Sequence, residues 1–313
     1  MRVGRIKDIS SSWVLLPSIV LLLAALPRAG ADVVIVRSSD AAPYQQAEAT
    51  FRERLSSDKV RSVLVKQLAD SGIGSAISTT DTVVAIGTPA ATWLHAQLPE
   101  GIELVYCMVA NAEEAGLLKG SPCWGVTMEV AVTEQFKLIA EALPSARIVG
   151  TLYRSDTAAG RAGLQAMKDN LPPGWRLEAV ATNDYSSVAD AIDALTHKSV
   201  DVIWTSAEQR VYDTAAVRTL LLAALREKIP VWGFSPAFVR AGALLGLGVD
   251  PASQAAQAAD LIVQLKQNNP NAEKSERPRD YQIAINLVVA DQLNLHFPDA
   301  MVKRATFVFG AEK

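Results

Sequence analysis

The sequence predicts an α/β fold of two doubly wound lobes, each a parallel sheet covered by helices. Three observations lead there. Short runs of Val and Ile are nearly continuous, the pattern of strands buried on both faces. Each run is followed by a longer stretch with apolar residues at helical spacing. The alternation then starts afresh half-way along the chain, which divides it in two. With 313 residues, 50% of them hydrophobic, the chain can bury one large core or two smaller ones.

The first series opens with a strand over Asp32–Arg37, then a helix over Tyr44–Leu55 in which Tyr44, Ala47, Phe51 and Leu55 share a face. Strands follow at Val60–Val65, Thr82–Ile86 and Glu103–Val109. Gly87-Thr88-Pro89 ends the third strand and starts a helix through His95. After Gly125-Val126-Thr127 a helix runs over about Thr133–Leu143, and the joint between the two series is expected near Thr127.

The second series has strands at Arg147–Tyr153, Trp175–Ala181, Val200–Thr205 and Pro230–Gly233. Its helices lie at Ala158–Leu171, Ser187–Leu195 and Asp213–Glu227. A strand at Ala243–Val249 and a helix at Ser253–Lys266 come next. Gln267–Asp280 is polar and marked by prolines, so it is expected to be an exposed connection. A strand at Tyr281–Ile285, a helix at Leu287–Leu293 and an extended run at Thr306–Phe309 complete the chain.

The N-terminus sets the compartment. Arg2, Arg5 and Lys7 precede an apolar stretch from Trp13 to Leu26, and Ala29-Gly30-Ala31 offers small residues before Asp32. That order predicts a cleaved secretory signal peptide over residues 1–31. The alternative is an uncleaved anchor, but the run contains Pro17 and falls short of the ~20 apolar residues a membrane span needs. No cysteine follows the small residues, so a lipid anchor is not expected. Arg2, Arg5, Lys7 and Arg28 against Asp8 give the leader +3, leaving −6 on the remaining 282 residues. Such a mildly acidic surface, without a basic run, excludes nucleic acid as an expected partner.

Chemistry has few residues to rest on. His95, His197 and His296 are not spaced as metal ligands, and each reads as a surface or structural histidine. No Gly-x-Ser-x-Gly elbow or P-loop occurs, and Gly246-Leu-Gly248 lacks the rest of a dinucleotide fingerprint. No catalytic residue, metal or cofactor is therefore expected.

The loops after the strands are different. In open α/β sheets, ligands sit beyond the carboxyl ends of the strands. Those ends carry Ser38 and Ser39, Thr88, Arg154-Ser155-Asp156, Ser206, Phe234 and Asp250. Hydroxyls, amides and one or two charges suit a small polar solute, and Arg154 has the fork to hold a carboxylate, of a ligand or equally of a surface acid. The competing reading is that the Ser, Thr and Asp residues cap helices. Trp204 and Trp232, near the ends of neighbouring strands, fit either a stacking surface or the core. Cys107 and Cys123 are sixteen positions apart, and in an oxidising compartment they are expected to pair; two buried thiols are the alternative. A disulfide closing that loop would contribute roughly 3 kcal/mol.

A family resemblance covers Gly125 to Phe309. It rests on Gly125-Val-Thr127, Gln135-Phe-Lys-Leu-Ile139, Leu143-Pro-Ser-Ala-Arg147 and Val149-Gly-Thr-Leu-Tyr153. It continues through Lys228-Ile-Pro-Val231, Val239-Arg-Ala-Gly-Ala-Leu244, Gly248-Val-Asp250, Ile285-Asn-Leu287 and Leu293-Asn-Leu-His-Phe-Pro298. In this order these segments resemble the substrate-binding components of ABC transporters, in the group whose better-known members bind aromatic amino acids. The resemblance implies a periplasmic-binding-protein fold of type I whose lobes close over a solute. It also implies a periplasmic location, and as partners a small-molecule solute, a membrane permease and its ATPase. The lobes are then expected at 32–127, completed by about 244–272, and at 128–243, completed by about 273–313. Arg154-Ser-Asp156 stands where the amino-acid binders have an asparagine-rich loop, and Trp204-Thr-Ser-Ala-Glu208 also departs from their pattern, so the solute is not implied. The expected function is solute capture in an interlobe cleft and delivery to the permease by a monomer. The alternative is a sensor passing ligand occupancy to a membrane receptor, with an unrecognised hydrolase a distant third.

Overall fold

Parallel strands need crossovers long enough to carry a helix, and the helices then cover both faces of the sheet. The computed structural model, which describes residues 32–311 apart from 57, 80, 209 and 268–272, is built that way. The leader expected over residues 1–31 lies outside the described residues. Among the described residues no helix is long and apolar enough to cross a membrane.

The first sheet contains β1 (Val33–Arg37), β2 (Val60–Leu64), β3 (Thr82–Ile86), β4 (Glu103–Val109) and β5 (Cys123–Thr127) in the order β2-β1-β3-β4-β5. All its pairings are parallel. Between these strands run α1 (Ala42–Arg54), α2 (Val65–Ser71) and α3 (Thr88–Gln97). Alternate strand residues feed two cores. Val33, Ile35, Val84, Ile86 and Val105 meet Ala47 and Phe51 of α1 on one face. Val34, Val36, Val83, Ala85 and Leu104 meet Leu68 of α2 and Leu94 of α3 on the other.

Next come α4 (Val132–Ala142), β6 (Ile148–Tyr153), α5 (Ala158–Asp169), β7 (Arg176–Ala181), α6 (Val188–Thr196), β8 (Val202–Trp204), α7 (Thr214–Arg226), β9 (Val231–Gly233), α8 (Pro236–Ala241) and β10 (Leu245–Gly248). The chain ends with α9 (Pro251–Lys266), β11 (Gln282–Asn286), α10 (Leu287–Gln292), α11 (Asp299–Arg304) and β12 (Phe307–Phe309). The second sheet has the order β12-β11-β10-β9-β8-β6-β7, and only the β10–β11 pairing is antiparallel. Trp204 and Trp232 lie side by side in its register and are 8% and 1% exposed, so they fill the core and not an open stacking surface.

Two expectations need correcting. Leu245–Gly248, grouped with the first lobe, hydrogen-bonds between β9 and β11 in the second sheet. The return to the first sheet starts at α9, whose Ala255, Ala258, Leu261 and Ile262 join the α1-side core. It runs past 272, since Gly125 donates to Lys274 O and Thr127 to Glu276 O along the open edge of β5.

The Cys107–Cys123 disulfide is absent: both are buried free thiols. The β4–β5 register pairs Leu104 with Cys123. Successive residues of a strand point to opposite faces, and accordingly Cys107 packs in the α1-side core and Cys123 in the other. The sheet itself separates the two sulfurs. Burial pushes the Cys107 thiol well up and Cys123 from 9.0 to about 11. Burial likewise raises Tyr106 from 10.0 to about 12.

These shifts fix a pH dependence. The native state keeps protons that the unfolded chain releases, so their contribution is intact below about pH 9 and is lost as pH rises through about 11. Thermal unfolding across that range should show a falling midpoint. The double variant Cys107→Ala/Cys123→Ala should fall less steeply, and an equal slope would contradict the assignment.

Candidate functional site

In each parallel sheet the loops that follow the strands gather at one edge. In the first lobe, Ser38 follows β1. Its hydroxyl donates to Ile86 O (2.9 Å) and accepts from Ala90 N (3.0 Å), tying β1 to the start of α3. Gly87 makes this possible: its φ is +95°, and a Cβ there would lie 2.5 Å from Ser38 Oγ. Thr88 Oγ1 accepts from Ala110 N (3.3 Å), linking α3 to the loop after β4. Ser39 is exposed and accepts only from Ala41 N (3.3 Å).

In the second lobe, the loop after β6 is bonded to itself. Arg154 Nε donates to Asp156 Oδ1 (2.9 Å) and its Nη2 to Oδ2, a forked ion pair that holds the Asp156 carboxyl below its usual range. Asn183, after β7, accepts from Ser155 N (2.9 Å) and donates to Ser155 Oγ (2.8 Å). Arg161 donates to Ser155 O (2.7 Å). Gly160 lets α5 start directly beneath, since a Cβ would lie 2.1 Å from Arg154 O. Ser206 is half-buried beside buried Thr205, whose hydroxyl donates to Trp232 O (2.7 Å).

The structure thus brings Arg154, Ser155 and Asp156 into one cluster with Asn183, and Ser38 and Thr88 into another around α3. Two expected contacts serve their own lobe. Phe234 packs edge-on against Phe238 at 4.9 Å, with Tyr212 at 6.4 Å. Asp250 caps α9, accepting from Ser253 N (2.9 Å), and also takes a bond from Gln46 of α1 (3.3 Å).

Burial raises the carboxyl of Glu208, after β8, and the carboxylate of Glu114, after β4, raises it further. A concavity of about 440 Å³ opens beside the loop after β4, lined by Asn111, Glu113, Thr127, Glu129, Ser275 and Arg277. Asn111 donates to Glu129 there (2.6 Å). A second, of about 370 Å³, lies between α4, β11 and α11 around Glu134, Lys137, Tyr281 and Arg304. None of the nine sequence-predicted residues lines either of them.

His95 bonds Lys119 O (2.6 Å) and His197 bonds Asp193 O (2.8 Å), both local structural roles. No cluster of metal-ligating residues occurs among the described residues.

The sequence profile of ABC transporter substrate binding proteins matches residues 64–309, more than three-quarters of the sequence. The chain belongs to that family. Solved structures agree in fold. A conserved domain protein from Vibrio cholerae is 22% identical, with a TM-score of 0.62, covering 89% of this chain and 99% of its own. An ABC domain in complex with L-Trp from Streptococcus pneumonia is 20% identical, with a TM-score of 0.62, covering 90% and 100%. A ligand-free, open substrate-binding protein with adhesive properties from Clostridium difficile is 17% identical, with a TM-score of 0.70, covering 89% and 99%. No curated protein matches. Family and fold are those of substrate-binding proteins and not of enzymes. Membership implies a small-molecule ligand, a role in transport and an ABC permease as partner.

Proposed function

We propose that this substrate-binding protein is exported, captures a small polar or aromatic solute between its lobes and, as a periplasmic monomer, delivers it to an ABC-type permease. One observation carries the reading. The chain crosses between the two sheets three times, at 128–131, 249–250 and 277–281, and polar loops at the strand ends of both sheets flank those crossings. A body joined in that way can close like a hinge, with the ligand favouring the closed state. On this reading the first lobe comprises 32–127 with α9 and the stretch through Glu276, and the second comprises the rest.

The first contacts are Ser39, Thr88, Ser155, Asp156 and Ser206, with Arg154 released from Asp156 to take an anionic group on the solute. Ser38 and Asp250 act from beneath, by holding α3 and α9. Phe234 offers an aromatic edge.

Thermal unfolding of residues 32–313 with amino acids, aromatic acids, nucleosides, short peptides and anions tests the proposal. A solute at a thousand times its Kd adds about 4 kcal/mol, a rise of several degrees. No rise with any of them counts against solute capture. With the solute found, Asp156→Ala should weaken binding by about tenfold while the unfolding midpoint of the free protein stays put. Unchanged affinity would remove Asp156 from the site.

A further inference from the structure

Side-chain amides fasten the crossings at 128–131 and 277–281. Gln254 and Gln257 are one turn apart on α9 and are 2% and 6% exposed. Gln254 Nε2 donates to Thr127 O (2.9 Å), the last residue of β5, and its Oε1 accepts from Met108 N (3.1 Å). Met108 has a φ of +55° where the β4–β5 register slips, a conformation a side chain adopts only when its surroundings hold it. Gln257 Nε2 donates to Arg277 O (2.9 Å), and its Oε1 accepts from Arg279 N (3.1 Å). Both glutamines therefore fasten crossing segments to the first lobe.

The second lobe holds the other ends. Gln135 of α4 donates to Val130 O (2.8 Å) and is itself fixed by Trp204 Nε1 (2.8 Å) at the end of β8. Tyr281 donates to Glu134 (3.4 Å) on the same helix. Between the anchored carbonyls of Thr127 and Val130 only Met128 and Glu129 remain, and Met128 N donates to Val109 O (2.8 Å). Between Arg279 and Tyr281 only Asp280 remains, and between β10 and the α9 cap only Val249. Glu129, Val249 and Asp280 make no backbone hydrogen bond among the described residues.

We infer that Gln135, Gln254 and Gln257 are positioning residues that confine lobe motion to Glu129, Val249 and Asp280. A buried amide bonded at both ends is costly to release, since each freed partner would be left unsatisfied. Rotation at Glu129, Val249 and Asp280 breaks no backbone hydrogen bond, and at Glu129 only the side-chain bond from Asn111 is at stake. Because Gln254 also holds Met108 at the strand end nearest the first crossing, it couples the shape of that wall to the pivot. The inference rests on the two-lobed reading but needs no solute, so a failed solute panel leaves it standing.

Nitroxides on Glu53→Cys in α1 and Arg218→Cys in α7, both exposed, report the interlobe distance by double electron–electron resonance. The native thiols are 0% and 1% exposed and should escape labelling in the folded protein. Without any solute, Glu129→Gly should broaden the distance distribution, and Pro278→Ala, inside the segment clamped by Gln257, should leave it as it is. Gln254→Met and Gln135→Met should each broaden it; should the first not fold, the half-buried Gln135 decides. Clamps with a merely structural role would lower the unfolding midpoint with no change in the distribution. That result, or equal broadening by Glu129→Gly and Pro278→Ala, overturns the inference.

Discussion

Replacing Gly125 with alanine is expected to destabilise the protein by about 3 kcal/mol or more, far beyond the usual cost of adding one methyl group. Gly125 sits in β5 with backbone on both sides: it donates to Lys274 O (3.1 Å) and accepts from Glu276 N (2.8 Å). A Cβ would lie 2.3 Å from Tyr106 O and 2.4 Å from Tyr106 Cγ. Neither neighbour can yield. Tyr106 is wholly buried, and its hydroxyl donates to Lys274 O (3.2 Å). The chain would have to open the β4–β5 pairing and the strap of residues 274–276 together, next to the first crossing. Gly163→Ala makes the control. It lies in α5 with nothing within 4 Å of its would-be Cβ, so it should be neutral or add about 0.5–1 kcal/mol. Urea unfolding should show a large loss for Gly125→Ala and none for Gly163→Ala.

Trp232→Ala carries the second large effect, a loss of about 3–5 kcal/mol. Trp232 is 1% exposed in the second sheet, packed with Trp204, Phe136, Leu245 and Leu247. The cavity left by an indole here is walled by strands and by α4, which can collapse into it only partly. Its Nε1 donor is buried without a partner. Trp232→Phe should therefore cost much less, because it keeps most of the apolar area and removes an unsatisfied group. Exposed Leu222 supplies the comparison, since Leu222→Ala should stay within about 0.5 kcal/mol of the parent.

Local pattern carried most of the strands and helices. Thr82–Ile86 and Glu103–Val109 lie where the Val-rich runs place them, because burial on both faces leaves an unbroken apolar string. Cys123–Thr127 escaped, since Cys-Trp-Gly-Val-Thr is short and its glycine reads as a break; it is a strand because β4 and residues 274–276 supply partners. Its omission also hid the error over the thiols. With β5 placed, the three-residue offset across the register would have put the sulfurs on opposite faces. The short helices α2, α8 and α11 are too brief for helical spacing to register. That β11 runs antiparallel and draws β10 into the second sheet is non-local, and no periodicity records it.

The loops of the site were legible as polar strand ends, but their bonding was not. For Arg154 the sequence allows a ligand carboxylate or a surface acid equally, and the acid it pairs with is Asp156, two residues away. The buried glutamines of α9 do carry a sequence signal. Gln254 and Gln257 align with Ala258 and Leu261 on a stripe that is otherwise apolar, and a glutamine on a buried helical face must find partners.

The central claim is that two lobes close on a solute. The measurement that meets it most directly is the interlobe distance between labels at positions 53 and 218, with and without the solute that most raises the unfolding midpoint. The account predicts a shorter, narrower distribution in the loaded protein. A solute that stabilises the chain while leaving that distance unchanged would contradict it.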